Sequence, residues 1–255
     1  MRSSIAILSL LSLFAAVPLS AQTIAYETVD LDAEPAGGGG ERSLPVQRAI
    51  PIGERHLDTL AAYGPFRVLD EGRAALVDVT DGGTPGQFLA MLDDHPGIAT
   101  IELIDCPGTE DDLANLRLGR MIRERGMATH VPPDGSVRSG GVEIFLAGAR
   151  RYADPGAEFA VHSWMDDTGR EAGDYSASAP ENRRYIDYYR QMGMSPIEAE
   201  AFYAMTNSVP FASAKWFGRS VMNLWVSLEG EEPPEQANSE GPAMALLLDS
   251  PATLQ

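Results

Sequence analysis

The apolar residues of this chain fall into short β-like runs that alternate with longer stretches of helical period. PFRVL (65–69) and RAALVDVT (73–80) are rich in branched residues and are parted by the turn residues Asp70, Glu71 and Gly72. They predict two strands. IATIELID (98–105), MATHVP (127–132) and AEFAVHSW (157–164) read the same way. Between them, DGGTPGQFLAMLDDHPG (81–97) predicts a turn, a helix and a turn. Thr84 is expected to cap that helix, Pro85 suits its first turn and Pro96-Gly97 ends it. TEDDLANLRLGRMIRERG (109–126) predicts a strong helix with acids at its start and arginines at its end, as the helix dipole favours. Leu113, Leu116, Leu118, Met121 and Ile122 are its expected apolar face, and Gly126 its stop.

VEIFLAGA (142–149), ENRRYIDYYRQMG (181–193) and SPIEAEAFYAMT (195–206) predict three more helices. Ser195, Pro196 and Glu198 form a capping box at the start of the last. FASAKWFG (211–218) reads as a short helix and SVMNLWVS (220–227) as a final strand. Repeated strand–helix–strand order predicts an α/β fold of βαβ units around a largely parallel sheet.

The ends differ from this body. Residues 1–21 carry one charge, Arg2, then the apolar run IAILSLLSLFAAVPL (5–19), then the small pair Ser20-Ala21. That is the pattern of a secretory signal, too short to span a bilayer comfortably; the alternative is an uncleaved anchor. The mature chain is expected to be exported, periplasmic or secreted, with no stable membrane span. Residues 22–51, with four consecutive glycines in AEPAGGGGERS (33–43), read as a flexible lead-in. Residues 52–228 read as the folded domain. Residues 229–255 read as an acidic, Pro-rich tail in which AMALLL (243–248) is the apolar segment.

The 255 residues carry a formal charge of −18 and a single lysine, Lys215. Removing residues 1–21 leaves 18 basic against 37 acidic residues, a net of −19. That balance argues against nucleic acid and anionic membrane surfaces as partners. The one cysteine, Cys106, excludes an intramolecular disulfide; it reads as a buried small hydrophobe or a reactive thiol. No HExxH, no Cys/His pair at ligand spacing and no G-x-G-x-x-G after a strand is present, so no metal or other cofactor is expected.

The chemistry lies in GSVRSGGVEIFLAG (135–148), which sets Ser139 among small residues at the mouth of an apolar segment. AEFAVHSW then ends a β-like run on His162. A serine nucleophile needs a base, a group to orient that base, and donors for the oxyanion. Gly140 and Gly141 allow a sharp turn, and a helix starting there aims the Gly140 N–H at developing negative charge. CPGT (106–109) sits between a strand and a helix, where the N–H groups of Gly108 and Thr109 can line the same hole. His56 and His95 lie in expected loops, and His130 ends a short strand. Glu143 is an acid four residues past Ser139 in an apolar segment; it needs a partner, Arg138 or Arg150. Lys215 lies well past His162, so a Ser–Lys dyad is not expected.

This order of Gly108, Ser139 and His162 resembles the proteolytic subunit of the Clp protease, and more closely its exported bacterial relatives of the ClpP/crotonase-like fold. The resemblance runs from about Ala74 to Ser227. It implies Ser139 as nucleophile, His162 as general base, and Gly108, Thr109 and Gly140 as the oxyanion hole. Peptide or protein substrates and a homo-oligomer follow from the same resemblance, with the Tyr- and Met-rich helices at 181–206 as the interface. Cys106-Pro-Gly-Thr109 stands where the family has Ser-Pro-Gly-Gly. Val209, in VPFASA, stands where it has Asp. Asn207, Ser208, Asp166 and Asp167 are the polar groups left to orient the imidazole. Two readings follow: an exported serine peptidase, or a non-catalytic binding or assembly module of the same fold. An acyl-CoA enzyme of crotonase type is a distant third, because export separates it from its cofactor.

Overall fold

The computed structural model describes residues 57–230. The expected signal segment, the lead-in, residues 52–56 of the expected domain with His56, and the tail beyond Gly230 lie outside the described residues. The chain runs through β1 (Ala61–Tyr63), β2 (Phe66–Val68), β3 (Arg73–Leu76), α1 (Thr84–Asp94), β4 (Thr100–Leu103), β5 (Asp105–Cys106), α2 (Asp112–Glu124), β6 (Ala128–Val131), β7 (Ser136–Arg138), α3 (Gly140–Ala147), β8 (Arg150–Ala153), β9 (Glu158–Val161), α4 (Pro180–Gln191), α5 (Pro196–Thr206), β10 (Lys215–Gly218) and α6 (Arg219–Trp225).

The strands form two sheets. One has the order β1-β2-β3-β4-β6-β8, the other β10-β9-β7-β5. Pairing is parallel from β3 to β4 to β6 to β8, and again from β5 to β7 to β9. The antiparallel additions are the β1-β2-β3 hairpins and the closing β10. This is an α/β fold of stacked βαβ units, as the alternating runs imply, with the parallel strands divided between two sheets. The division falls inside the run 98–105. Leu103 stays in the first sheet, and Asp105-Cys106 crosses to pair with β7.

Helix α3 lies at the centre. Every residue from Gly140 to Ala147 is buried, so it has no polar face and reads as uniformly apolar. Phe145 packs on Phe159 of β9. Helices α2 and α4 cover it, and the hydroxyl of Tyr188 in α4 donates to the carbonyl of Glu143 at 2.6 Å. Gly119 of α2 is required there, because a Cβ would lie 1.9 Å from that hydroxyl.

Four local expectations are corrected. Thr84 is the first residue of α1 and not its cap; the cap residue is Gly83, and the Asp81 carboxylate accepts from the N–H groups of Gly83 and Thr84. Leu113, assigned to the apolar face of α2, is 63 % exposed. It follows the N-cap Asp111 by two residues and points off the end of the core. The strand β8 lies in a run given no assignment. Last, 211–227 is inverted: Lys215–Gly218 is a strand and Arg219–Trp225 a helix. The strand forms because β9 offers an open edge, on which Lys215 faces Val161 and Gly218 faces Glu158. The helix follows because Met222, Trp225 and Val226 meet the core at spacings of three and four. The capping box of Ser195 and Glu198 stands as expected.

Candidate active site

Strand β7 delivers Ser139 to the end of the second sheet, where its N–H donates to the Ala160 carbonyl of β9 at 2.9 Å. There the chain turns sharply into α3. Ser139 has φ 49° and ψ −127°, one of two non-glycine residues with positive φ among those described. An L-residue held so costs about 1–3 kcal/mol and persists only where its surroundings enforce it. The enforcing contacts are visible. A Cβ on Gly141 would lie 2.8 Å from Cys106 Cβ, and one on Gly140 would lie 2.7 Å from Thr109 Cγ2. The helix mouth therefore sits directly on the β5 turn, and only glycines fit. A sharp strand-to-helix turn that lifts a serine clear of the sheet is the geometry used to expose a nucleophile.

Beside it, Gly108 has φ +137°, a conformation that glycine alone adopts without strain. A Cβ at Gly108 would come 3.1 Å from Ser139 Cβ and 3.4 Å from its Oγ. The N–H groups of Gly108, Thr109 and Gly140 make no hydrogen bond within the described residues. The expected oxyanion-hole residues are thus gathered around Ser139. The Thr109 hydroxyl is occupied elsewhere, donating to the Thr80 carbonyl and accepting from the Asp111 N–H.

His162 follows the last residue of β9 and lines the same cavity as Ser139. No hydrogen bond joins the two side chains in this structure. The imidazole Nδ1 lies 2.8 Å from the Ser163 carbonyl oxygen. A carbonyl only accepts, so Nδ1 carries a proton, which leaves Nε2 as the nitrogen that can act as the base. The Phe211 ring stands edge-on against the imidazole at 4.9 Å.

The residues considered as orienting groups divide. Asn207 lines the cavity with His162, but its side-chain amide is spent on the Tyr203 carbonyl and the Trp164 N–H. Ser208 donates to the Met205 carbonyl and accepts from Lys215. Asp166 turns into its own loop, bonded to Tyr175, Thr168 and Arg170, and Asp167 is exposed. The Val209 carbonyl accepts from the Ser163 N–H, next to His162, at 3.0 Å, and its side chain brings no acid. Lys215 is closer to the site than expected. It pairs with Val161, one residue before His162, yet lies on the side of β9 away from β7.

Glu143 does not pair with Arg138 or Arg150. Arg138 is taken by Asp105 at 2.7 Å, and Arg150 is exposed. The Glu143 carboxylate accepts from the Tyr189 hydroxyl at 2.7 Å. Complete burial pushes its carboxyl up to about 7. Burial likewise drives the Cys106 thiol far above its ordinary value, so this cysteine is inert and structural.

Several cavity residues had not been singled out in the sequence: Asp112, Asn115, Tyr185 and Tyr189. Asn115 is the most telling. Its Nδ2 donates to the Gly140 carbonyl at 2.8 Å, and its Oδ1 accepts from Thr80 at 2.8 Å. A buried amide interrupting the apolar face of α2 was the available signal.

No family model matches the chain, and no curated protein matches it. Among solved structures, it is similar to the 1510-N membrane protease specific for a stomatin homolog from Pyrococcus horikoshii, at 16 % identity and a TM-score of 0.41, over 61 % of this chain and 69 % of that one. A lysine-to-alanine variant of the 1510-N membrane-bound stomatin-specific protease, in complex with a substrate peptide, aligns at 15 % identity with a TM-score of 0.40, over 62 % of this chain and 74 % of that one. A serine-to-alanine variant gives 16 % and 0.41, over 62 % and 78 %. Among the described residues, no helix is long and apolar enough to cross a membrane.

Proposed function

We propose that this chain is an exported serine hydrolase that cleaves peptide or related acyl bonds. The observation that carries the reading is the strained turn at Ser139, held at the buried mouth of α3 beside Gly108. Ser139 Oγ attacks the carbonyl carbon, and its proton passes to His162 Nε2. The Ser163 carbonyl holds the opposite ring N–H, a neutral substitute for the acid that Val209 does not supply. The charge on the substrate oxygen is met by N–H groups of Gly108, Thr109 and Gly140. Such donors are worth roughly a hundredfold to a thousandfold each in rate. The protonated imidazole then returns its proton to the leaving amine, and water repeats the sequence to release the acyl group.

A second reading, a binding or assembly module, is favoured by one observation: among the described residues no hydrogen bond joins Ser139 to His162, and no carboxylate is hydrogen-bonded to the ring. Fluorophosphonate labelling separates the two. The hydrolase reading expects covalent labelling of the folded protein at Ser139, absent in Ser139→Ala. A folded protein that stays unlabelled, or a Ser139→Ala variant that labels equally, makes it a binding module.

A further inference from the structure

The cavity beside Ser139 is lined by more than the reacting groups. Its inner wall is built from Asp112 of α2, Glu143 of α3, and Tyr185 and Tyr189 of α4, none of which the mechanism above uses. Neither carboxyl forms an ion pair among the described residues. Burial raises both above the ordinary carboxylate range. The charged groups that face them are few: Arg184 and His162 act favourably on Asp112, Asp111 acts against it, and Asp112 itself acts against Glu143.

Tyr185 supplies the second observation. It is 6 % exposed, and its buried hydroxyl has no hydrogen-bond partner. Its nearest acceptor is the Asp112 carboxyl, close enough for the two groups to lean on one another, but the approach falls short of a well-formed hydrogen bond. A buried hydroxyl left without a good partner is destabilising. Here it lines the cavity that two carboxyls without an ion-pair partner among the described residues also line.

These groups select a ligand. An anion meets two acids, and an apolar group leaves three polar groups dry. A cation with N–H donors satisfies all three. The free space is about 40 Å³, against about 10–15 Å³ for one water, which excludes an aromatic ring and leaves a slender chain end. We propose that this cavity is a subsite for an ammonium group on an alkyl chain, the side chain of a lysine in the substrate, held by Asp112, Glu143 and the Tyr185 hydroxyl. The subsite rests on the hydrolase reading only for its place in a substrate.

The test is calorimetry on the full Ser139→Ala protein, which needs no turnover. Three probes are compared: Nα-acetyl-lysinamide, its neutral isostere Nα-acetyl-norleucinamide, and alaninamide, whose ammonium is on the α-carbon. Nα-acetyl-lysinamide is expected to bind about tenfold or more tightly than either of the others. Its binding at pH 7 releases protons, read from the heats in buffers of different ionisation enthalpy. Glu143→Gln removes that proton release, and Tyr185→Phe, a milder change should Glu143→Gln fail to fold, weakens binding severalfold. Equal binding of norleucinamide overturns the ammonium assignment, and preference for alaninamide overturns the side-chain assignment. Failure of the fluorophosphonate experiment with lysinamide binding intact removes the hydrolase reading and keeps the subsite; the reverse result removes only the subsite.

Discussion

The two halves of the site are held by different means. The serine half is fixed on every side. Ser139 is bonded through its N–H to β9, its carbonyl accepts from Val142, and the next carbonyl is gripped by the Thr80–Asn115 pair. Glycines at 108, 140 and 141 let three segments meet at van der Waals distance. The histidine half is lightly tied. His162 is partly exposed, has one bond to the carbonyl of its neighbour, and rests on Phe211, itself 39 % exposed. The fold spends its rigidity where negative charge would develop and leaves the proton acceptor free to adjust. Preorganised donors lower a barrier only if they do not move, whereas a base can close onto its partner when substrate arrives.

His162→Ala is the widest way to pull the halves apart. The comparison predicts a fall in the rate of fluorophosphonate labelling of roughly ten-thousandfold or more, up to about a millionfold. Stability should change by less than about 1 kcal/mol, because the ring is partly exposed and lightly bonded. Stopped labelling assays beside urea melts decide it. A variant that melts early but labels normally would show the histidine to be structural.

The serine half should show itself in pH. Glu143, behind the nucleophile, is raised from an ordinary 4.5 to about 7 by burial. The folded state therefore holds its proton more tightly than the unfolded chain does. The stabilising contribution is fully present below about pH 4.5 and is lost as pH rises through 7, to the extent of about 3 kcal/mol. Urea melts across pH 4–8 should show this loss in the parent protein. Glu143→Gln, which cannot ionise, should flatten that part of the curve. Parallel curves for the two proteins would mean that the carboxyl is not desolvated.

The same contrast explains what could be read from the sequence. The serine half is local: Ser139, Gly140 and Gly141 are consecutive, Gly108 sits in a Pro-Gly turn, and small residues at a helix mouth announce themselves. His162 was visible because a strand of obvious β character ends on it. The inner wall was not, because Asp112, Asn115, Tyr185 and Tyr189 come from two helices whose facing sides are decided by packing. Glu143 was noticed as an acid in an apolar segment, but its partner, Tyr189, lies 46 residues away. The inversion of 211–227 has the same origin. Lys215–Gly218 is a strand only because β9 has an edge to offer, and no local pattern records that edge.

Asn115→Ala probes the support of the serine turn. It removes the donor to the Gly140 carbonyl and leaves the Thr80 hydroxyl without its acceptor, both buried. The expected cost is about 1–3 kcal/mol in stability. Labelling should slow by about tenfold or more at temperatures where the protein remains folded, since a shift of the helix mouth displaces the oxyanion donors. Unchanged labelling in a destabilised variant would place the turn's rigidity in the glycine contacts alone.

Phe211→Ala tests the lighter half at its aromatic contact with the ring. An edge-to-face aromatic pair is worth about 0.5–1.5 kcal/mol, and this one is half open to solvent, so the loss in stability should lie at the low end. If the ring serves to keep the imidazole near Ser139, labelling should slow by a few fold. The Ser163 carbonyl still selects the tautomer, so Nε2 remains the basic nitrogen. A drop as large as that of His162→Ala would mean that Phe211, and not the Ser163 carbonyl, fixes the base. The histidine half would then be as tightly built as the serine half, through packing and not hydrogen bonds.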